Sequence, residues 1–150
     1  MSQSLANVTI HVIFSTKDRY AFLTPQIRPE LYAYMATVLA EMDSPAILIG
    51  GVEDHVHILC RLSRNHIIAD IVKTVKLSTS KWLKTKRGML SKFQWQGGYG
   101  AFSVSASQVA SVVDYIKNQE EHHRDVSFED ELRRFLTKYG VTFDERYVWD

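Results

Sequence analysis

Ala46-Ile47-Leu48-Ile49-Gly50-Gly51-Val52-Glu53-Asp54-His55-Val56-His57-Ile58-Leu59-Cys60-Arg61-Leu62 is the stretch that decides the fold. Ala46 to Gly51 and His55 to Leu62 are apolar enough for strands, and Gly51-Val52-Glu53-Asp54 is a tight connection between them. The stretch therefore reads as a β-hairpin near the middle of a sheet. Successive strand residues face opposite sides, so His55 and His57 share one face and can present two imidazoles to a single ion. Glu53 falls on that face if the strand begins early, as a fourth ligand or a partner for an imidazole; a turn residue is the plainer reading. Asp54 is expected to point the other way.

On the N-terminal side, Asn7 to Ser15 is β-branched and aromatic, a buried first strand. Thr24-Pro25 supplies an N-cap and a first-turn proline. Ile27, Leu31, Tyr34, Met35, Val38 and Met42 follow at helical spacing, and Ser44-Pro45 ends that helix. On the C-terminal side, Asn65 is expected to cap a helix with Ile68, Ile71, Val72, Val75, Trp82 and Leu83 on one side and Lys73, Lys76, Ser80 and Lys84 on another. Trp95-Gln96-Gly97-Gly98-Tyr99-Gly100 then forms a loop, and Ala101 to Ser105 a strand. Ser107 is expected to cap a helix carrying Tyr115. Ser127 caps Phe128 to Tyr139, with Glu129, Asp130 and Glu131 in the first turn and Gly140 closing it. The order β-α-β-β-α-β-α-α predicts an α+β fold. Its first six elements are the ferredoxin-like βαββαβ antiparallel sheet, followed by the tyrosine helix and a final helix, all in one domain over residues 1–150.

Composition excludes several classes. No apolar run approaches the roughly 20 residues that would span a bilayer, and Met1-Ser2-Gln3-Ser4 shows no secretory signal. The one cysteine, Cys60, excludes an internal disulfide framework and reads as core. The formal net charge is only +1, but from Arg61 to Lys92 nine basic residues stand against the single acid Asp70. A phosphate backbone feels such a local patch and not the total.

Tyr115-Ile116-Lys117-Asn118-Gln119 carries the remaining chemistry. Residues four apart share a helix face, so Tyr115 and Gln119 can point together toward an ion. Tyr115, Gln119 and His122 run along the edge of an apolar stripe of Val109, Val112, Val113 and Ile116. Separately, these groups have plain readings: a His-x-His pair satisfied inside a core, a packing tyrosine, a solvated border. His11 reads as core, His66 as a first-turn helix residue, and His122 and His123 as either proton carriers or a frayed helix end. Together they supply a nucleophile and three metal ligands. A tyrosine hydroxyl, with an ordinary pKa near ~10, is a poor nucleophile at neutral pH and needs a polarised phosphate or help in losing its proton.

His55-Val56-His57, the run Trp95 to Ser105, Tyr115 to His123, and Phe135-Leu136-Thr137-Lys138-Tyr139-Gly140-Val141 together resemble the single-tyrosine HUH transposases of the IS200/IS605 type, carried by small prokaryotic insertion sequences. The resemblance spans almost the whole chain, with the motifs in the family's order. It implies a strand transferase that cuts and rejoins single-stranded DNA at hairpin-marked element ends. Tyr115 would form a 5′-phosphotyrosine, and His55, His57 and Gln119 would hold Mg²⁺ or Mn²⁺. It further implies a homodimer with sites that can be composed across protomers, no nucleotide cofactor, and a cytoplasmic, nucleoid-associated location. Within that reading Lys17, Arg19, Lys73, Lys76 and Lys84 are expected phosphate contacts and Tyr99 a base-stacking residue. Gly97, Gly98 and Gly100 become a hinge for the tyrosine helix. Two competing readings remain: a replication or relaxase-type nickase using the same groups, and a non-catalytic ferredoxin-like module that binds hairpins without metal.

Overall fold

The computed structural model describes residues 2–150. Four strands, β1 (Thr9–Ser15), β2 (Ala46–Gly51), β3 (His55–Arg61) and β4 (Gly100–Val104), form a sheet in the order β2-β3-β1-β4 with all neighbours antiparallel. Helix α1 (Ile27–Glu41) joins β1 to β2, and α2 (Ile68–Lys84) joins β3 to β4. The ferredoxin-like order expected from the central hairpin is present. Three further helices follow: α3 (Val109–Lys117), the single turn α4 (Gln119–His122) and α5 (Phe128–Lys138). Among the described residues, no helix is long and apolar enough to cross a membrane.

The β1 strand is buried along its whole length because both faces of the sheet are covered. Ile10, Val12 and Phe14, with Val56, Ile58 and Cys60 of β3, meet Leu31, Met35 and Leu39 of α1 and Ile71, Val72 and Val75 of α2. The opposite face packs Ile13 and Phe102 against Phe128, Leu132 and Leu136 of α5. Leu59 and Val104 on that face meet Ile116 of α3. By strand alternation, His11, His55 and His57 lie on this second face, under α3, α4 and α5.

Two glycines permit close approach there. A Cβ on Gly50 would lie 2.7 Å from Ile116 Cγ2 and 3.2 Å from the Ile116 carbonyl oxygen, so α3 rests on the β2 backbone. At Gly100 a Cβ would lie 2.9 Å from Leu132 Cδ1. The hairpin turn is tied to the end of β1 by Thr16 N–H donating to Asp54 O at 2.8 Å.

Helix starts differ from expectation at three helices, the first being α1, which begins at Ile27 with Gln26, and not Thr24, in the N-cap position. Asn65 does not cap α2: it lies in a turn, its N–H donating to Ser63 Oγ, while Ile67 holds the extended N-cap position without a side-chain bond. His66 belongs to that turn and not to the helix. Ser107 lies within a short 3-10 turn, Ala106–Gln108, whose geometry replaces a side-chain cap before α3. Ser127 does cap α5, accepting from Asp130 N–H at 3.1 Å.

Candidate active site

β3 lies inside the sheet, flanked by β2 and β1, so both of its histidines are fully buried. Each is oriented by a neighbour. His55 Nδ1 donates to Asp54 Oδ1 at 2.6 Å, and His57 Nδ1 meets His11 Nε2 at 2.8 Å. Asp54 therefore points toward the site, contrary to the alternation argument: β3 begins at His55, and the turn residue before it does not obey the strand's period. His11 is buried in the core, as expected, and there its imidazole pairs with that of His57. Glu53 is not a ligand; its carboxylate stands in solvent, 3.8 Å from Arg28.

Tyr115 and Gln119 approach from above. The helix expected to carry both breaks at Asn118 (φ −99°, ψ 20°), which places Gln119 at the start of α4. The two side chains still converge: Gln119 Oε1 lies 3.3 Å from His55 Nε2, and Gln119 Nε2 donates to the Tyr115 carbonyl at 3.4 Å. The Tyr115 ring stands edge-on to that of His57 of its own chain, with centroids 5.8 Å apart. His122 Nε2 lies 3.1 Å from the Tyr115 hydroxyl.

Glu131, read from sequence only as a first-turn acid, stands at the centre. Its Oε1 lies 2.9 Å from His57 Nε2 and 3.3 Å from His55 Nε2. Its Oε2 accepts from the Tyr115 hydroxyl and, at 3.3 Å, from Gln119 Nε2. Ser127 and the acidic first turn explained this glutamate fully as helix chemistry, and no sequence signal separated it from Glu129 and Asp130. His123, also unassigned, brings Nε2 to 3.1 Å from Glu131 Oε2.

Burial sets the electrostatics. It holds His11 down at about 3, with the adjacent His57 adding to the effect. Burial also lowers His57, against the pull of Glu131. Burial would lower His55 as well, but its bonds to Asp54 and Glu131 outweigh this and leave it at about 9. Burial would raise the Glu131 carboxyl, yet the imidazoles of His123, His55 and His57 around it hold it far below the usual range. For Tyr115, burial and then the Glu131 charge push the phenol well above its ordinary value. A tyrosine so placed holds its proton until something nearby offsets the carboxylate.

A divalent metal fits these residues. One donor atom each from His55, His57, His123 and Glu131 lies within 4.8 Å of the others. Among the described residues, His123 Nε2 is one of three buried side-chain polar atoms without an aligned hydrogen-bond partner. A cavity of about 680 Å³ opens beside this cluster, with Ser105, Gln108, Ser111, Tyr115, His122 and Arg134 among its lining.

The expected DNA contacts divide. Lys17, Lys73, Lys76 and Tyr99 line a second cavity of about 600 Å³. Lys73 is exposed, but the Lys76 ammonium is turned inward to the Gln96 and Gly98 carbonyls at 2.8 and 2.6 Å, and burial lowers it to about 8. Arg19 donates to the Trp149 carbonyl at 2.6 Å, and Lys84 is exposed at the end of α2. The glycines have close-packing roles. Gly98 N–H donates to Asp150 O at 2.9 Å, a Cβ on Gly97 would lie 3.3 Å from the same oxygen, and Gly100 begins β4. The rest of β4 and the Ala106–Gln108 turn lie between Gly100 and α3.

The chain has relatives. A family profile described as "Transposase IS200 like" matches residues 4–119. The ISDra2 transposase TnpA of Deinococcus radiodurans is 25% identical over 114 residues, covering 73% of this chain and 81% of the relative. A crystal structure of a candidate transposase from Deinococcus radiodurans R1 matches with a TM-score of 0.62 at 22% identity, over 79% of this chain and 98% of that one. A REP-associated tyrosine transposase bound to a REP hairpin also gives 0.62, at 15% identity, over 84% of this chain and 76% of its own. At these identities the two structures speak for the fold alone.

Proposed function

Because the chain belongs to the IS200-like transposase family, we propose that it cleaves and rejoins single-stranded DNA at hairpin-marked ends, with Tyr115 as nucleophile and a divalent metal at His55, His57 and Gln119. The observation that carries this reading is the convergence of the Tyr115 hydroxyl and both histidines on one buried carboxylate beside an open cavity. The bound metal would supply Lewis-acid polarisation of the scissile phosphate. Tyr115 Oη attacks that phosphorus, a bond forms between them, and the bond to the 3′ oxygen breaks. The phenol proton passes to Glu131 Oε2, which accepts from that hydroxyl, and on to His122 3.3 Å away, whose partly exposed ring reaches solvent. The freed 3′ oxygen takes up a proton, and the reverse attack by another 3′ hydroxyl rejoins the strand. The bond energy stays in the phosphotyrosine, so no nucleotide cofactor is needed.

The hairpin preference is carried over from the solved relative whose described ligand is a REP hairpin. The strand would pass along the cavity beside Tyr115, and Lys17, Lys73 and Tyr99 would contact the backbone and bases at the second cavity. A homodimer would give each of two element ends its own site, since one protomer already brings Tyr115 to its own histidines.

The test is an adduct assay on a labelled single-stranded hairpin substrate with Mn²⁺. The wild type should give a covalent protein–DNA species that survives denaturing electrophoresis and disappears with chelator. Tyr115→Phe should give none while still shifting the same DNA in a native gel. An adduct retained by Tyr115→Phe places the nucleophile elsewhere. Binding without any wild-type adduct favours the non-catalytic hairpin module.

A further inference from the structure

The family match ends at residue 119, but the carboxylate at the heart of the site comes from α5. Glu131 is 1% exposed. A buried carboxylate costs several kcal/mol unless it is paired, yet a single imidazolium would suffice for that. Here four imidazoles stand within 3.3 Å of it: the partly exposed His122, and the more deeply buried trio of His55, His57 and His123.

Their arrangement is the informative part. All three rings are anchored through Nδ1: His55 to Asp54 Oδ1 at 2.6 Å, His57 to His11 Nε2 at 2.8 Å, and His123 to the Val126 carbonyl at 2.5 Å. All three turn Nε2 toward Glu131, at 3.3, 2.9 and 3.1 Å respectively. Fixing one ring nitrogen by a hydrogen bond so that the other faces inward is how proteins orient metal-ligating histidines. The His123 Nε2 has no aligned hydrogen-bond partner although it is buried, which a ring placed only to solvate a carboxylate would not leave undone.

We propose that Glu131 and His123 are metal ligands, so that the segment beyond the family match completes the centre begun by His55 and His57. This rests on the metal-assisted reading above and extends it to the choice of ion. Three imidazole nitrogens and one carboxylate suit a divalent first-row transition ion such as Mn²⁺, whereas Mg²⁺ demands oxygen and keeps its waters. Glu131 Oε2 also accepts from Tyr115, so metal ligand and nucleophile share one carboxylate. Drawing Glu131 charge onto a cation would weaken its hold on the phenol proton.

Calorimetric titration of the metal-free full chain tests this. Wild type should bind Mn²⁺ at least about tenfold more tightly than Mg²⁺. Glu131→Gln, nearly the same shape, should weaken Mn²⁺ binding by about 10–100-fold. Glu120→Gln, at a neighbouring exposed carboxylate, should leave it unchanged. Pulsed electron paramagnetic resonance of the Mn²⁺-loaded wild type needs no variant and should count three coupled imidazole nitrogens. Unchanged Mn²⁺ affinity in Glu131→Gln, or only two imidazole nitrogens, overturns the proposal while leaving the metal-assisted reading in place. Failure of the wild type to bind either ion sinks both.

Discussion

The two faces of the sheet are built on opposite principles. Against α1 and α2, β1 and β3 offer Ile10, Val12, Phe14, Val56, Ile58 and Cys60 to a continuous apolar core. Against α3, α4 and α5, the same two strands offer His11, His55 and His57. One face consists of contacts that act through area removed from water, each replaceable by another residue of similar volume. The other sets, among apolar contacts of Ile13 and Leu59, polar groups whose cost of burial is offset only by specific partners. The strand period of two lets one pair of strands serve both, with stability on one side and chemistry on the other.

That division can be broken from either side. The largest effect should come from His57→Ala, which removes a proposed ligand. Cleavage of hairpin DNA should fall by about a thousandfold, the equivalent of ~4 kcal/mol of lost charge stabilisation, while chemical denaturation shows the fold persisting. A smaller effect of opposite kind should follow Leu31→Ala in α1, which is fully buried. It should lower unfolding free energy by about 3 kcal/mol yet leave the cleavage rate per folded molecule unchanged. A rate loss in that variant would show the faces to be coupled. The smallest effect should come from Gly50→Ala, which sharpens the comparison because Gly50 pairs with His57 and touches Ile116. Overpacking there should cost about 1–3 kcal/mol and lift α3, slowing adduct formation while Mn²⁺ affinity holds. Equal losses of metal binding and adduct would mean that the strand, and not the helix, had moved.

Sequence spacing was sufficient for the apolar face and only partly so for the other. The hairpin, the strand order and the burial of β1 follow from period and turn chemistry, which are local. His55, His57, Tyr115 and Gln119 were legible because their types and spacing are unusual together. Glu131 was hidden by its own good local explanation: an acid in the first turn behind Ser127 satisfies the helix terminus, so nothing local demands a second role. Asp54 was misdirected because a strand's alternation does not extend into its turn. The core position of His11 is legible, but its pairing with His57 is not, because the two lie far apart in sequence. The break at Asn118 leaves no mark in the spacing because Tyr115 and Gln119 stay together across it, bonded through the Tyr115 carbonyl.

The contact between His11 and His57 has one more consequence. Two imidazoles joined nitrogen to nitrogen share a single hydrogen. While His57 Nε2 donates to Glu131, its Nδ1 must accept from His11. Once that Nε2 gives its lone pair to a cation, Nδ1 keeps the hydrogen and His11 becomes the acceptor. The tautomer of a residue on the first strand thus records whether a centre it never touches is filled.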